Sequence, residues 1–419
     1  MKSKAYRAVD VKHVEWQRLV EGKEGLDATV GLDVGKECIY GVLRWGAVDF
    51  ERPWRIGNPS EIRVLAEALA WLAQGRRLIV AMEPTGTYGD VLRQALSVAQ
   101  LDVRRVSPKA ASDFAEIFDG VPSQHDGKDA AVVAELAASG RSWAWPWREA
   151  SPQQQELAYW VQDLDGQRRQ MMTWFGRLEA LVSRHWPEAT RIVRLRSAVL
   201  LKCLAHYGTP AKLAADAQAQ SLVQKWGRHL LSSAKAEALV ASARTTVGVR
   251  QGEWDQARVQ DCVGEILRCK QRLRQARLRL QVLGNDNKVI VALADVVGMV
   301  TACVLWEGLG DPRDYHCGPA YRKAMGLNLA ERSSGKYKGE LKITKRGSSV
   351  VRRWLYLAAL RHIRREPTKT WYQQQKKDRR GEGKAAVIAV MRKLALALYQ
   401  VAQGKKFSQQ LLQGTNVER

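Results

Sequence analysis

Cysteine is scarce in this chain, with six residues in 419, and none of them forms a Cys-x-x-Cys pair. The seven histidines complete no zinc-ligand pattern with them. A disulfide framework and a structural zinc module are therefore not expected, and reduced thiols in a cytoplasmic protein are. There is no signal peptide and no run of 18 apolar residues, so neither secretion nor a membrane span is expected. Acidic residues are the other shortage. Asp and Glu number 43 against 67 Lys and Arg, for a net charge of +24. Such a surplus calls for a polyanionic partner, most simply DNA or RNA.

The surplus is uneven. From Glu331 to Arg419 there are 22 Lys and Arg against 6 Asp and Glu. The acidic residues with the most telling neighbours lie at the other end. Asp33 closes the apolar run Ala28–Leu32, and Glu83 closes Leu78–Met82. Asp126 and Asp129 stand three apart at the head of a helical pattern, which puts both on one helical face. Each alone also reads as a cap or turn residue. A carboxylate ending a buried strand is costly unless its charge is compensated. Several converging carboxylates repel one another, and a divalent ion relieves that. Mg²⁺ favours a few carboxylates with water and phosphate oxygens. Asp33, Glu83, Asp126 and Asp129 are thus candidate ligands and catalytic residues for Mg²⁺-assisted chemistry on nucleic acid.

Residues 1–25 read as a polar lead-in. Strand patterns follow at 28–34, 38–45 and 48–56, then a helix at 59–73, a strand at 77–82, a helix at 88–100, a strand at 102–106 and helices at 108–118 and 128–138. Three adjacent strands followed by alternating helices and strands is the order of an RNase H-like α/β domain. In that fold the acids fall on the first strand, after the fourth, and on the last helix. Trp143, Trp145 and Trp147 mark a linker around Pro146, expected to pack a domain junction. Two long charged helices, 153–185 and 254–283, read as an antiparallel coiled-coil arm, with an irregular helical insertion at 191–251. An apolar helix from Asp295 to Leu309 has a glycine hinge, like half of a helix–hairpin–helix. Ser333 and Ser334 then lie in a Gly-rich basic loop. Serines in such loops are usually turn residues, but the basic field also suits a nucleophile on phosphate. Basic and apolar helices at 350–364 and 383–402 close the chain.

These motifs resemble the DEDD-type insertion-sequence transposases, relatives of the pilin-gene invertases. Gly31-Leu32-Asp33-Val34-Gly35-Lys36, Glu83-Pro84-Thr85-Gly86 and Asp126-Gly127-Lys128-Asp129-Ala130 resemble the family's RuvC-like domain. Val297-Gly298-Met299, Tyr321–Leu327, Ser333-Ser334-Gly335, Ile343–Gly347 and Val351-Arg352-Arg353 resemble its C-terminal domain. The departures are His125 where Thr is common, Val297 in place of Pro, and Lys336 where Gly is common.

The resemblance implies an enzyme that excises and inserts its own element. The four acids would bind Mg²⁺. Ser333, with Ser334 as the fallback, would attack DNA and form a phosphoserine link. Lys336, Lys345, Arg346, Arg352 and Arg353 are expected phosphate contacts. Donor and target DNA, a structured non-coding guide RNA from the element, and dimers pairing into tetramers are the implied partners, in a prokaryotic cytoplasm at the nucleoid. The expected domains are 1–25, a RuvC-like domain over 26–150, the arm over 151–290, and a mainly helical serine domain over 291–419. The alternatives are a resolvase or RNase H-like nuclease using metal-bound water, and a non-catalytic nucleic-acid-binding protein.

Overall fold

The computed structural model describes residues 7–46, 49–118, 125–330, 342–379 and 381–412, in two compact units that divide between Glu149 and Ala150.

The first unit is built on a sheet. Its strands are β1 (Val9–Asp10), β2 (Ala28–Val34), β3 (Cys38–Trp45), β4 (Asp49–Phe50), β5 (Trp54–Gly57), β6 (Leu78–Met82), β7 (Asp102–Val106) and β8 (Ser142–Ala144). They run in the order β1-β5-β3-β2-β6-β7-β8, with β4 a short ribbon on β3. The central strands β2, β6 and β7 are parallel, and β3 is antiparallel to both its neighbours. This mixed sheet is compatible with an RNase H-like domain. The helices are α1 (Trp16–Val20), α2 (Ile62–Leu72), α3 (Asp90–Val98), α4 (Pro108–Phe118) and α5 (Asp126–Ala138).

Alternation along the strands divides the two faces. Val30, Leu32, Val80 and Met82 pack with Leu65, Leu69, Leu92 and Leu96 of α2 and α3. Ile79 and Ala81 face the opposite way, onto Val132, Val133 and Leu136 of α5.

Several boundaries differ from the sequence expectation. The strand expected over 48–56 is two strands, because Pro53 cannot donate to a ladder. The helix expected from Pro59 starts at Ile62, behind a cis Asn58–Pro59 bond. Gly86–Gly89 forms a 3₁₀ turn before α3. The lead-in also belongs to the fold: Val9 pairs with Trp54. The tryptophans around Pro146 make contacts within the first unit. Trp143 sits in β8, opposite Arg105, and the Arg93 guanidinium lies 4.3 Å from the Trp145 ring and 4.6 Å from that of Trp147.

The second unit is organised by two long helices, α6 (Pro152–His185) and α12 (Glu253–Asn285). Between them in sequence come α7 (Ala189–Ile192), α8 (Ala198–Tyr207), α9 (Pro210–Ala215), α10 (Ala219–Gly227) and α11 (Ser233–Arg244). Arg272 pairs with Asp163 at 2.7 Å and Arg279 with Glu156 at 2.9 Å, so residue numbers rise on one helix as they fall on the other. The pairing is antiparallel. Phe175 and Val182 of α6, with Val263 and Ile266 of α12, share a core with α8 and α11. The other end of the pair packs into a second core with the C-terminal helices.

Those are α13 (Lys288–Val297), α14 (Met299–Leu309), α15 (Gly318–Ala324), α16 (Ser349–His362), α17 (Thr368–Asp378) and α18 (Gly383–Ala402), with a hairpin of β9 (Leu329–Ala330) and β10 (Lys342–Ile343). The expected helix from Asp295 to Leu309 is broken at Gly298, whose φ of +80° ends α13 and starts α14. Helix α18 is long and apolar enough to cross a membrane, but Ala386, Val390, Leu394 and Leu398 are buried inside the unit.

Candidate active site

Two neighbouring strands bring the first two acids together. In the parallel pair β2–β6, Leu32 is opposite Met82, the last pair of the register. Asp33 and Glu83 are one step further along each strand, at the carboxyl ends of strands ~4.8 Å apart. Both belong to the face that α5 covers.

Helix α5 brings the other two. Its first residue is Asp126, and Asp129 follows within the first turn. The helix rests on a floor of small residues. A Cβ added at Gly31 would lie inside the van der Waals shells of the Ala130 carbonyl oxygen and the Ala134 amide nitrogen. Only glycine lets the helix backbone come this close to β2. Further along, Arg44 of β3, buried, donates from Nε to Glu135 Oε2 at 2.7 Å and ties the helix down at a second point.

The electrostatics show that the acids face one another. Burial, then the charges of Asp129 and Asp126, push the Asp33 carboxyl up to about 6. Burial, then Asp33 and Asp129, raise Glu83. Burial and Asp126 raise Asp129, with Lys128 and His125 opposing. The raised acids are therefore held close to other carboxylates in a partly dry setting.

Among the described residues, no three acid, histidine or cysteine side chains stand at joint metal-holding distance. The acids are coupled to one another through their charges. An oxygen-only donor set whose charges already oppose one another nonetheless fits a hard divalent cation.

Two neighbours were not singled out from the sequence. Tyr40 pairs with Asp33 across β2–β3. Its phenol is raised by burial and by Asp126, to which it hydrogen-bonds. Asn58 donates from Nδ2 to the Gly35 carbonyl at 2.8 Å and the Tyr88 carbonyl at 3.3 Å. It thereby clamps the loops that follow Asp33 and Glu83. The two contacts span 23 and 30 residues of chain, so no local pattern announces them. The Asn58→Ala protein is expected to lose about ten-fold in turnover with little change in DNA affinity, measured by single-turnover kinetics and filter binding.

In the second unit, Ser333, Ser334 and Lys336 lie outside the described residues. The stem beside them is described: Lys342 pairs with Ala330 and Ile343 with Leu329, an antiparallel pair. Lys345 and Arg346 are exposed next to that stem. Arg352 and Arg353 are engaged within the fold instead. Arg352 Nη1 donates to the Gly347 carbonyl at 2.8 Å and to that of Met325 at 3.3 Å. Arg353 pairs with buried Asp165 of α6. These contacts tie α16 to Met325, Gly347 and α6.

Two known family profiles match parts of the chain. A transposase family profile of the DEDD IS110 type matches residues 30–187. One described as "Transposase IS116/IS110/IS902 family" matches residues 292–373. No curated protein matches the chain. The two matches support an IS110-family transposase, an enzyme acting as a DNA transposase or recombinase of an insertion sequence, with DNA as substrate and a dependence on divalent metal.

Proposed function

We propose that this DNA transposase excises and inserts its element through a serine nucleophile, Ser333, with Mg²⁺ bound by Asp33, Glu83, Asp126 and Asp129. The observation that carries the metal half of the reading is the convergence of Asp33, Glu83 and Asp129, each raised by burial and by its acidic neighbours. Such a set is built to accept positive charge. When bound, Mg²⁺ would stabilise the charge that develops on oxygens around the reacting phosphorus.

The serine half rests on the family resemblance and on the basic stem of the loop. The Ser333 hydroxyl loses its proton and forms an O–P bond, while one P–O bond to deoxyribose breaks and that oxygen gains a proton. The phosphodiester count is unchanged, so resealing needs no ATP. Lys345 and Arg346, exposed beside the stem, are the side chains we assign to the phosphates flanking the break. Choice of donor and target is assigned to a guide RNA transcribed from the element, and the working form to paired dimers. The surplus positive charge of the C-terminal region accommodates both nucleic acids.

The test is a denaturing gel of labelled DNA carrying the element ends, with Mg²⁺ and the element's transcript. The expected result is a slow-migrating protein–DNA adduct with wild type and none with Asp126→Ala or Ser333→Ala. Cleavage without an adduct that persists in Ser333→Ala would replace the serine mechanism with hydrolysis by metal-bound water.

A further inference from the structure

A cavity of about 550 Å³ opens in the second unit between α12, α14 and α16 and has been assigned no role above. Its size is that of a small-ligand site. One wall is a single face of α16, where Trp354, Leu357 and Arg361 recur at helical spacing, with Arg364 in the turn just past the helix end. Arg277 of α12 stands on the opposite side, and Met299 adds apolar floor. Among the described residues, no Asp or Glu lines it. Asp295 lines a smaller neighbouring cavity that shares Gly298 and Arg361.

The three arginines are not equivalent. Arg361 donates to the Val297 carbonyl, and its Nη1 would lie 3.1 Å from a Cβ added at Gly298. It is built into the wall. Arg277 and Arg364 are exposed, and among the described residues their guanidiniums bond no protein group. Trp354 is half-buried and Leu357 is 42% exposed. The cavity thus offers two free planar cations around an aromatic and aliphatic surface. A duplex presents phosphates but no base faces, so the apolar portion would be wasted on it. An unpaired strand presents both.

We propose that this cavity holds one unstacked nucleotide of a single-stranded nucleic acid, its base against Trp354 and Leu357 and its flanking phosphates on Arg277 and Arg364. The inference rests on the chain acting on nucleic acid and adds a strand-specific site to it. Its occupant is a nucleotide displaced from pairing, which strand exchange must generate.

The test uses the full chain in EDTA, so that it is independent of the acids and of Ser333. Binding of a fluorescein-labelled 15-mer single strand is compared with that of a blunt hairpin duplex. Trp354→Leu is expected to weaken the single strand about ten-fold and leave the duplex unchanged, with Trp354→Phe restoring most of the loss. Arg277→Gln and Arg364→Gln are each expected to reduce the slope of log K against log salt by about 0.7 for the single strand. They are exposed, so they report even if Trp354→Leu fails to fold. Equal losses on both probes, or no loss in the arginine variants, would overturn the proposal. So would arginine variants that lose binding to phosphatidylglycerol vesicles but not to the oligonucleotide. An adduct failure on the gel described above leaves this measurement untouched, so the two readings fail separately.

Discussion

The Asp33→Asn protein is expected to lose DNA strand transfer by on the order of 10³-fold and yet to melt a few degrees higher than wild type at pH 7 in EDTA. The two effects share one cause. The Asp33 carboxyl is held at about 6 by burial and by Asp129 and Asp126. Its ionised form is therefore disfavoured in the folded state relative to the unfolded chain. A raised acid contributes stability that is complete below the unfolded value near 4 and is lost as pH climbs through the folded value. At neutral pH the wild type carries that penalty in full. Asparagine keeps the shape and removes the charge. The shift corresponds to about 3 kcal/mol, and the partial exposure of the group brings the expected gain to about 1–2 kcal/mol. Melting curves from pH 3.5 to 7.5 give the check. The two proteins should coincide near pH 4 and separate as pH rises through about 6. Added Mg²⁺ should raise the melting temperature of wild type and close the gap. A gap of the same size at every pH would show that Asp33 is not ionising against its neighbours.

Gly31→Ala is expected to have the second large effect, although it changes no charge. A methyl group there meets the backbone of α5 at Ala130 and Ala134, and backbone cannot rotate out of the way. The helix must lift, at a cost of about 3 kcal/mol, the upper range for forcing a methylene into a packed interior. Lifting it carries Asp126 and Asp129 away from Asp33 and Glu83. A displacement near 1 Å at a reacting centre costs on the order of 10²-fold. Thermal melting and the rate of adduct formation would both fall, while DNA binding, carried by basic residues elsewhere, stays close to wild type. Normal rates in the Gly31→Ala protein would mean that α5 does not need this close approach to work.

The contrast between these two positions shows what the chain discloses by itself. Asp33 was legible because a charge at the end of an apolar run is unusual. The strands at 28–34, 38–45 and 102–106 were legible to the residue, since turn residues flank continuous apolar or alternating runs. Gly31 carried a weaker signal, a glycine inside a strand, which marks close backbone approach but not the partner. Asn58 gave none, because its two acceptors, Gly35 and Tyr88, become neighbours only after the sheet forms. The contacts of Arg352 and Arg353 inside the protein gave no signal for the same reason. A basic pair beside a Gly-rich loop reads as a phosphate grip, and only the packed structure reveals Asp165, Met325 and Gly347 as their acceptors. The strand expected over 48–56 was misread by overlooking what Pro53 removes from a ladder.

The paired helices α6 and α12 contain 34 and 33 residues, so each runs about 50 Å at 1.5 Å per residue. Asp163 meets Arg272 and Glu156 meets Arg279 seven residues along each helix, two turns apart. One residue added to α6 alone would swing everything beyond it by about 100° and separate one of these ion pairs. Length can change only by whole turns, in both helices together. Among descendants of this chain the arm should therefore vary in discrete steps, shared by two segments that lie 68 codons apart, from His185 to Glu253, and never drift by single codons.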